Sequence, residues 1–148
     1  QKTAYEIYQC DWSSDVCSSD LAKAGFAQDG RNAMALRAAG LRVVSGTDTG
    51  QTRFWIGFFN HIDLESMVAV GMTPGEAIVA ATRDAAAVGK FNTGMVAPGK
   101  NADFIVLDAN PLERISHTRR INRVFLRGQE VDRARLKARW QSQFTAGS

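Results

Sequence analysis

The stretch Leu41–Gly50, LRVVSGTDTG, places one carboxylate, Asp48, just past a short β-branched run and between Gly46 and Gly50. Buried strands of α/β barrels and open α/β sheets deliver their active groups at this end, and flanking glycines let a ligand approach the backbone. A carboxylate there can ligate a hard or borderline divalent cation, or take the proton of a metal-bound water as it attacks. An aspartate set between two threonines ahead of a glycine serves equally well as a turn or cap residue. Spacing by itself leaves Asp48 undecided between these roles.

The other titratable candidates carry weaker signals. His61 opens a helix after the aromatic stretch FWIGFFN (Phe54–Asn60) and can hydrogen-bond a substrate or the aspartate, or simply cap or pack that helix. His117, beside Arg119 and Arg120, reads as a surface residue. Asp63 and Glu65 fall in the first helical turns, where negative charge is favourable and no further role is required. Asp103, ahead of an apolar strand, reads as a partner for the adjacent turn.

Both cysteines, Cys10 and Cys17, lie in CDWSSDVCSSDL, seven positions apart among serines and aspartates. Zinc sites usually space cysteines two to four residues apart and need two further ligands, whereas His61 and His117 are distant in sequence. A disulfide would need an oxidising compartment, and Gln1–Gln9 lacks the apolar centre of a signal peptide. A third reading accounts for more of the segment. Gln1–Leu21, QKTAYEIYQCDWSSDVCSSDL, resembles an in-frame translation of a common sequencing-library adapter, with QKTAYEI matching its first part, CDWSSDVCSSDL its last, and a variable index between. Residues 1–21 are therefore expected to be an adapter-derived artefact, not native sequence, and their cysteines carry no functional weight.

Without those residues the chain keeps 17 basic and 11 acidic side chains, a net charge of +6 against +3 for all 148 residues. That length suits one domain with its own core, or the end of a larger one. No apolar run approaches the length that spans a bilayer, so no membrane partner is expected, and localisation is left open. The excess positive charge sits late, in Arg114, Arg119, Arg120, Arg123, Arg127, Arg133, Arg135, Lys137 and Arg139. Aromatic residues scarcely interleave it, so a solvated face explains the cluster more simply than nucleic-acid binding.

The elements that must position these side chains follow α/β grammar. NAMALRAAG from Arg31 predicts a helix stopped by Gly40, and Leu41–Ser45 predicts a buried strand entering the Asp48 loop. HIDLESMVAVG brings Leu64, Met67 and Val68 to one helical face, with Gly71 as its stop. TPGE then predicts a capping box: Thr73 caps, Pro74 fits the first turn, and Glu76 reaches back. Ile78, Ala81, Ala85 and Val88 are the expected buried stripe of that helix. Beyond Gly89 come a short extended piece, a Pro98-Gly99 turn, and a strand from Ala102 to Leu107 whose unbroken apolar run predicts burial on both faces. RVFLRGQEVD predicts a hairpin turning at Arg127-Gly128. The basic tail from Ala134 predicts a helix with Leu136, Trp140 and Phe144 spaced for a light contact.

Taken in order, NAMALRAAGLRVVSGTDTG, HIDLESMVAVGMTPGEAIVAATRDAAAVGK, GMVAPGKNADFIVLDANPLERI and INRVFLRGQEVD resemble the C-terminal part of metal-dependent amidohydrolases, nearest the imidazolonepropionase-like and prolidase-like branch. The resemblance covers about Arg31 to Asp132. It implies an α/β chain holding the C-terminal part of a (β/α)8 TIM barrel, its last strand and helices in residues 22–91. Strands of the flanking small β-sandwich follow in 92–132, and a basic helical tail in 133–148. It also implies that Asp48 ends the eighth barrel strand, approaches or ligates a divalent metal, zinc foremost, and acts as general base, while His61 stands on the substrate side. The implied partners are a small-molecule amide, cyclic or of the acyl-amino-acid or dipeptide type, and the N-terminal portion of the barrel.

The family's metal site also takes an early HxH pair, a lysine or acidic bridge and two later histidines, and none of these stands in the chain. One carboxylate cannot hold a catalytic zinc. The expectation is a hydrolase fragment, inactive by itself and prone to expose apolar helix faces and open strand edges. The competing reading is a self-contained, non-enzymatic α/β binding module with a basic C-terminal face.

Overall fold

A computed structural model describes the backbone of residues 20–47 and 57–145, and the side chains of 24–47 and 57–142. Asp48, both cysteines, Phe54–Ile56 and the side chain of Phe144 lie outside the described residues. The chain divides into two compact units, Gln1–Val43 with Ala69–Gly71, and Val44–Val68 with Met72–Ser148.

In the first unit, helix α1 spans Asp20–Ala38 and so begins well ahead of Arg31. Its end is set by Gly40, which takes φ +86° while its N–H donates to Arg37 O and the N–H of Leu41 donates to Leu36 O. This pair of bonds is the Schellman arrangement, which satisfies the last helical carbonyls and favours glycine at the left-handed position. Gly30 is buried beside Val70: a Cβ there would stand 2.5 Å from Val70 Cγ1, so only a hydrogen fits.

Residues 41–47, expected to begin as a buried strand, carry no regular structure, and Leu41 is exposed. A strand buried on both faces needs ladder partners on its edges. Among the described residues none pairs with this segment.

Helix α2 spans Phe58–Ala69, all but its last residue in the second unit, and buries Ile62, Leu64 and Met67, close to the expected face. It starts three residues before His61, so Phe58 and Phe59 are helical rather than part of an irregular loop. Gly71 at φ +117° and a bond from Met72 N to Met67 O stop it as the glycine predicted. Helix α3, Pro74–Val79, opens on the full capping box: Thr73 Oγ1 accepts from Glu76 N, and Glu76 Oε2 accepts from Thr73 N at 2.8 Å. Such a cap contributes about 1 kcal/mol.

The helix continues through a π-helical turn, Ala80–Asp84, into α4, Ala85–Val88. This wider turn corrects the expected stripe. The buried residues are Ala77, Ala80 and Ala86, whereas Ala81 and Ala85 are only partly covered and Val88 is exposed. An i→i+5 turn holds more residues than an α turn, so the face advances out of the 3.6-residue phase. The left-handed C-terminal position falls on Lys90, φ +56°, with Phe91 N donating to Ala86 O.

The following loop packs back on this turn through Gly94. At φ +86° its absent Cβ would lie 2.5 Å from Thr82 O and 2.7 Å from Ala86 Cβ. Pro98 and Gly99, φ +79°, form a type II turn closed by Lys100 N donating to Ala97 O. The short extended piece expected near Met95 joins no ladder.

The sheet has three antiparallel strands in the order β1 (Phe104–Leu107), β2 (Ile121–Leu126), β3 (Gln129–Glu130). Phe104 pairs with Phe125 in register, and their rings stack at 4.6 Å between centroids. Burial of β1 on both faces is not observed: Ile105 and Val106 are 45% and 40% exposed. Consecutive strand residues point to opposite faces, so among the described residues neither face of β1 is fully covered at these positions. The β2–β3 hairpin turns at Arg127 and Gly128 with φ +51° and +79°, a type I′ turn whose twist suits the strands. Asp103 Oδ1 accepts from Arg127 N at 2.7 Å, so Asp103 serves this hairpin turn, 24 positions on, rather than the turn adjacent to it in the sequence. Helix α5, Arg133–Thr145, is capped by Asp132 Oδ1, which accepts from Arg135 N, and both Leu136 and Trp140 are exposed along it. Among the described residues no helix is long and apolar enough to cross a membrane.

Two substitutions test these backbone assignments. Lys90→Gly should raise stability by about 1 kcal/mol by relieving a left-handed non-glycine residue. Gly94→Ala should lower it by about 1–3 kcal/mol through the clash with the π turn. Urea unfolding monitored by circular dichroism measures both.

Candidate functional site

Helical geometry decides which side chains of α2 act together. Residues three and four apart share a face, so Phe58, His61, Ile62 and Glu65 form one stripe, while Asp63, about 200° around from His61, projects the other way. Both directions find polar partners, which corrects the expectation that Asp63 and Glu65 need only favour the start of the helix. Neither residue is in the first turn, since α2 begins at Phe58.

The stripe meets a 3₁₀ helix, Ile115–Arg119, that lies between β1 and β2. Arg119 Nη2 donates to Glu65 Oε2 at 2.8 Å, and the guanidinium carbon stands 4.9 Å from the centre of the Phe58 ring. Only 17% of the Arg119 side chain is exposed, which removes it from the solvated basic face assigned to the late arginines. Arginine suits this place because its planar cation can bond a carboxylate at its rim and lie over an aromatic ring with its face. Phe58, in the aromatic stretch ahead of His61, is thus the platform for a cation.

One turn along the stripe, His61 Nδ1 lies 3.0 Å from Thr118 Oγ1. Thr118 is buried, and its hydroxyl donates to Ile115 O at 2.9 Å. A hydroxyl has one proton, so toward His61 it must accept. Neutral His61 therefore carries its proton on Nδ1 and its lone pair on Nε2. Burial, and then the positive charge of Arg119, lower the His61 pKa below the usual 6.5. His117 is also partly buried rather than at the surface, and its Nδ1 donates to Asn110 O at 2.8 Å.

On the opposite side of α2, Asp63 Oδ2 accepts from Ser45 Oγ and from Gly46 N, the latter at 3.2 Å. These residues are the first two of SGTDTG, three and two positions before Asp48. Asp48 itself lies outside the described residues, so the structure neither joins it to His61 nor separates them. Nothing in the spacing of Ser45 and Asp63 could have revealed their bond, which spans eighteen positions.

A metal site needs converging donors. Among the described residues no three His, Cys, Asp or Glu side chains come together to hold an ion. The Nδ1 atoms of both histidines are occupied as donors. The described residues therefore do not furnish a site for the divalent ion that the resemblance implies.

The His61 environment sets a pH dependence. A histidine held neutral in the fold, with its pKa below 6.5, costs stability once the unfolded chain begins to protonate it. Its contribution is complete above 6.5 and is lost as pH falls through the window just below that value. Thermal unfolding should shift down between pH 7.5 and pH 5.5, and His61→Gln, which can still donate to Thr118, should flatten this part of the profile. An unchanged slope in that variant would assign the effect to other groups.

Comparison with known proteins supplies a wider frame. The amidohydrolase family profile matches residues 9–131, a range that includes the end of the N-terminal segment set aside above. Among solved structures, phenylurea hydrolase B is 33% identical, with a TM-score of 0.67 over 84% of this chain and 30% of that one. Molinate hydrolase is 29% identical, with a TM-score of 0.59 over 69% and 26%. A Xaa-Pro dipeptidase with methionine bound in its active site is 27% identical, with a TM-score of 0.61 over 69% and 25%. The chain thus spans between a quarter and a third of the length of these structures. Among curated proteins none matches significantly. With the match running through nearly all the elements described, the chain belongs to the amidohydrolase family, whose members are hydrolases of the TIM-barrel type that typically bind divalent metal ions.

Proposed function

We propose that this chain carries the catalytic carboxylate of a hydrolase that cleaves C–N bonds, with Asp48 as the base that takes the proton of the attacking water. The observation that carries the reading is the family match over residues 9–131 together with 33% identity to a phenylurea hydrolase across most of the chain. Phenylureas and Xaa-Pro dipeptides, the substrates for which two of the similar structures are named, both present a carbonyl carbon bonded to nitrogen. The substrate class is accordingly an amide, in a ring or in an acyl-amino-acid or dipeptide. His61 is assigned a supporting role on the substrate side: with Nδ1 committed to Thr118, it would act through Nε2 as an acceptor.

The ion of such an enzyme, zinc foremost, ordinarily takes three protein ligands, and the described residues do not supply them. The chain alone should therefore bind zinc at well below one equivalent and leave phenylurea and Xaa-Pro dipeptides intact, as metal analysis and product chromatography will read. Substituted for the matching segment of phenylurea hydrolase B, residues 22–132 should support hydrolysis. Asp48→Asn in that chimera should lower kcat by about 10²–10⁴-fold, the usual worth of a general base. Stoichiometric zinc and turnover by the isolated chain, or full activity of the Asp48→Asn chimera, would refute the proposal.

A further inference from the structure

We infer that Asp63 is a positioning residue for the SGTDTG loop, holding the backbone that leads into Asp48; its catalytic consequence rests on the hydrolase reading above. The inference starts from a peculiarity of residues 41–47. They are rich in β-branched side chains, yet among the described residues no strand pairs with them. One carboxylate oxygen holds two consecutive residues of this segment. Asp63 Oδ2 accepts from the Ser45 hydroxyl and from the Gly46 amide, a side-chain and a main-chain donor on consecutive residues.

Two anchors on adjacent residues restrain more than position. The Gly46 bond fixes the orientation of the Ser45-Gly46 peptide plane, and the Ser45 bond fixes the side chain just before it. Only Thr47 then stands between the tether and Asp48 in the sequence, so the restraint acts on the residues immediately ahead of the carboxylate. The anchor itself is firm. Asp63 sits in the middle of α2, between the buried residues Ile62 and Leu64, on a helix whose other face is bound to the 3₁₀ segment through His61 and Glu65. Hydrogen bonds to a charged acceptor are the stronger kind, and a partly covered carboxylate with two donors resists exchange for water.

Gly46 contributes no steric requirement of its own. Its φ lies outside the left-handed range, and a Cβ built on it would meet nothing within 4 Å. The segment is therefore held by its donors rather than by close packing of its glycine, and the carboxylate of Asp63 is the feature to remove.

The test is hydrogen exchange on the full 148-residue chain, which reads the tether whether or not any bond is cleaved. Asp63→Ala should speed exchange of the Gly46 and Thr47 amides about tenfold or more, while amides of the β1–β2 ladder keep their rates. Asp63→Asn, which retains an accepting oxygen, and Ser45→Ala, which removes one donor, should fall between. Gly46 and Thr47 rates within twofold of the parent in Asp63→Ala, or equal acceleration throughout the chain, would overturn the tether. In the hydrolysing chimera, Asp63→Ala should lower kcat about tenfold or more with KM little changed, and Asp63→Asn should recover part of the loss. Full kcat in Asp63→Ala beside an inactive Asp48→Asn would refute positioning alone; full activity in Asp48→Asn would refute the hydrolase reading and leave the tether to the exchange result.

Discussion

The contact between α2 and the Ile115–Arg119 segment is the interaction on which the described site depends. It joins residues more than fifty positions apart through a carboxylate, a guanidinium, an aromatic ring, an imidazole and a buried hydroxyl. An ion pair of this kind is worth little when solvated, but Glu65 and Arg119 are 30% and 17% exposed. Its formation therefore matters less as a source of energy than as a condition on geometry. Once both charges are partly covered, separating them leaves each without its partner in a poor solvent for ions, so the two segments hold one relative placement. His61 and Thr118 add a second bond along the same stripe, with the proton order forced by the single hydroxyl hydrogen.

Because that face of α2 is fixed, its other face can serve as a reference. Asp63 is rigid only to the extent that the helix is, and the helix is held by the stripe opposite. The segment before Asp48 inherits its position through Ser45 and Gly46. In this way Ser45 and Gly46, which pair with no strand among the described residues, are held by a charge on a helix, the helix by an ion pair to a 3₁₀ turn, and that turn by the strands it connects. The arrangement also explains why three polar residues of one short helix, His61, Asp63 and Glu65, all find distant partners. In an isolated amphipathic helix the same residues would face water.

Part of this was legible beforehand. The family resemblance rested on the order of several weak segments, and it agrees with the profile match, although no single motif would have carried it. The site was less legible. Asp63 and Glu65 read as ordinary residues near a helix start because a lone carboxylate has many satisfactory neighbours, and only the fold chooses among them. The burial pattern of the third helix failed for a different reason: a π turn cannot be seen in alanine spacing, since alanine suits every face.

What the sequence by itself determined are features that close within about five residues. The glycines that end α1 and α2, the Thr73–Glu76 box, the Pro98-Gly99 turn and the Arg127-Gly128 hairpin each depend on local φ values and nearby donors, so residue type is enough to specify them. What only the tertiary structure decided are the pairings of Ser45 and Gly46 with Asp63, His61 with Thr118, and Glu65 with Arg119, and the exposure of β1. Charged and hydroxyl groups bond at short range and without regard to sequence distance, so their partners exist only after packing has brought the elements together.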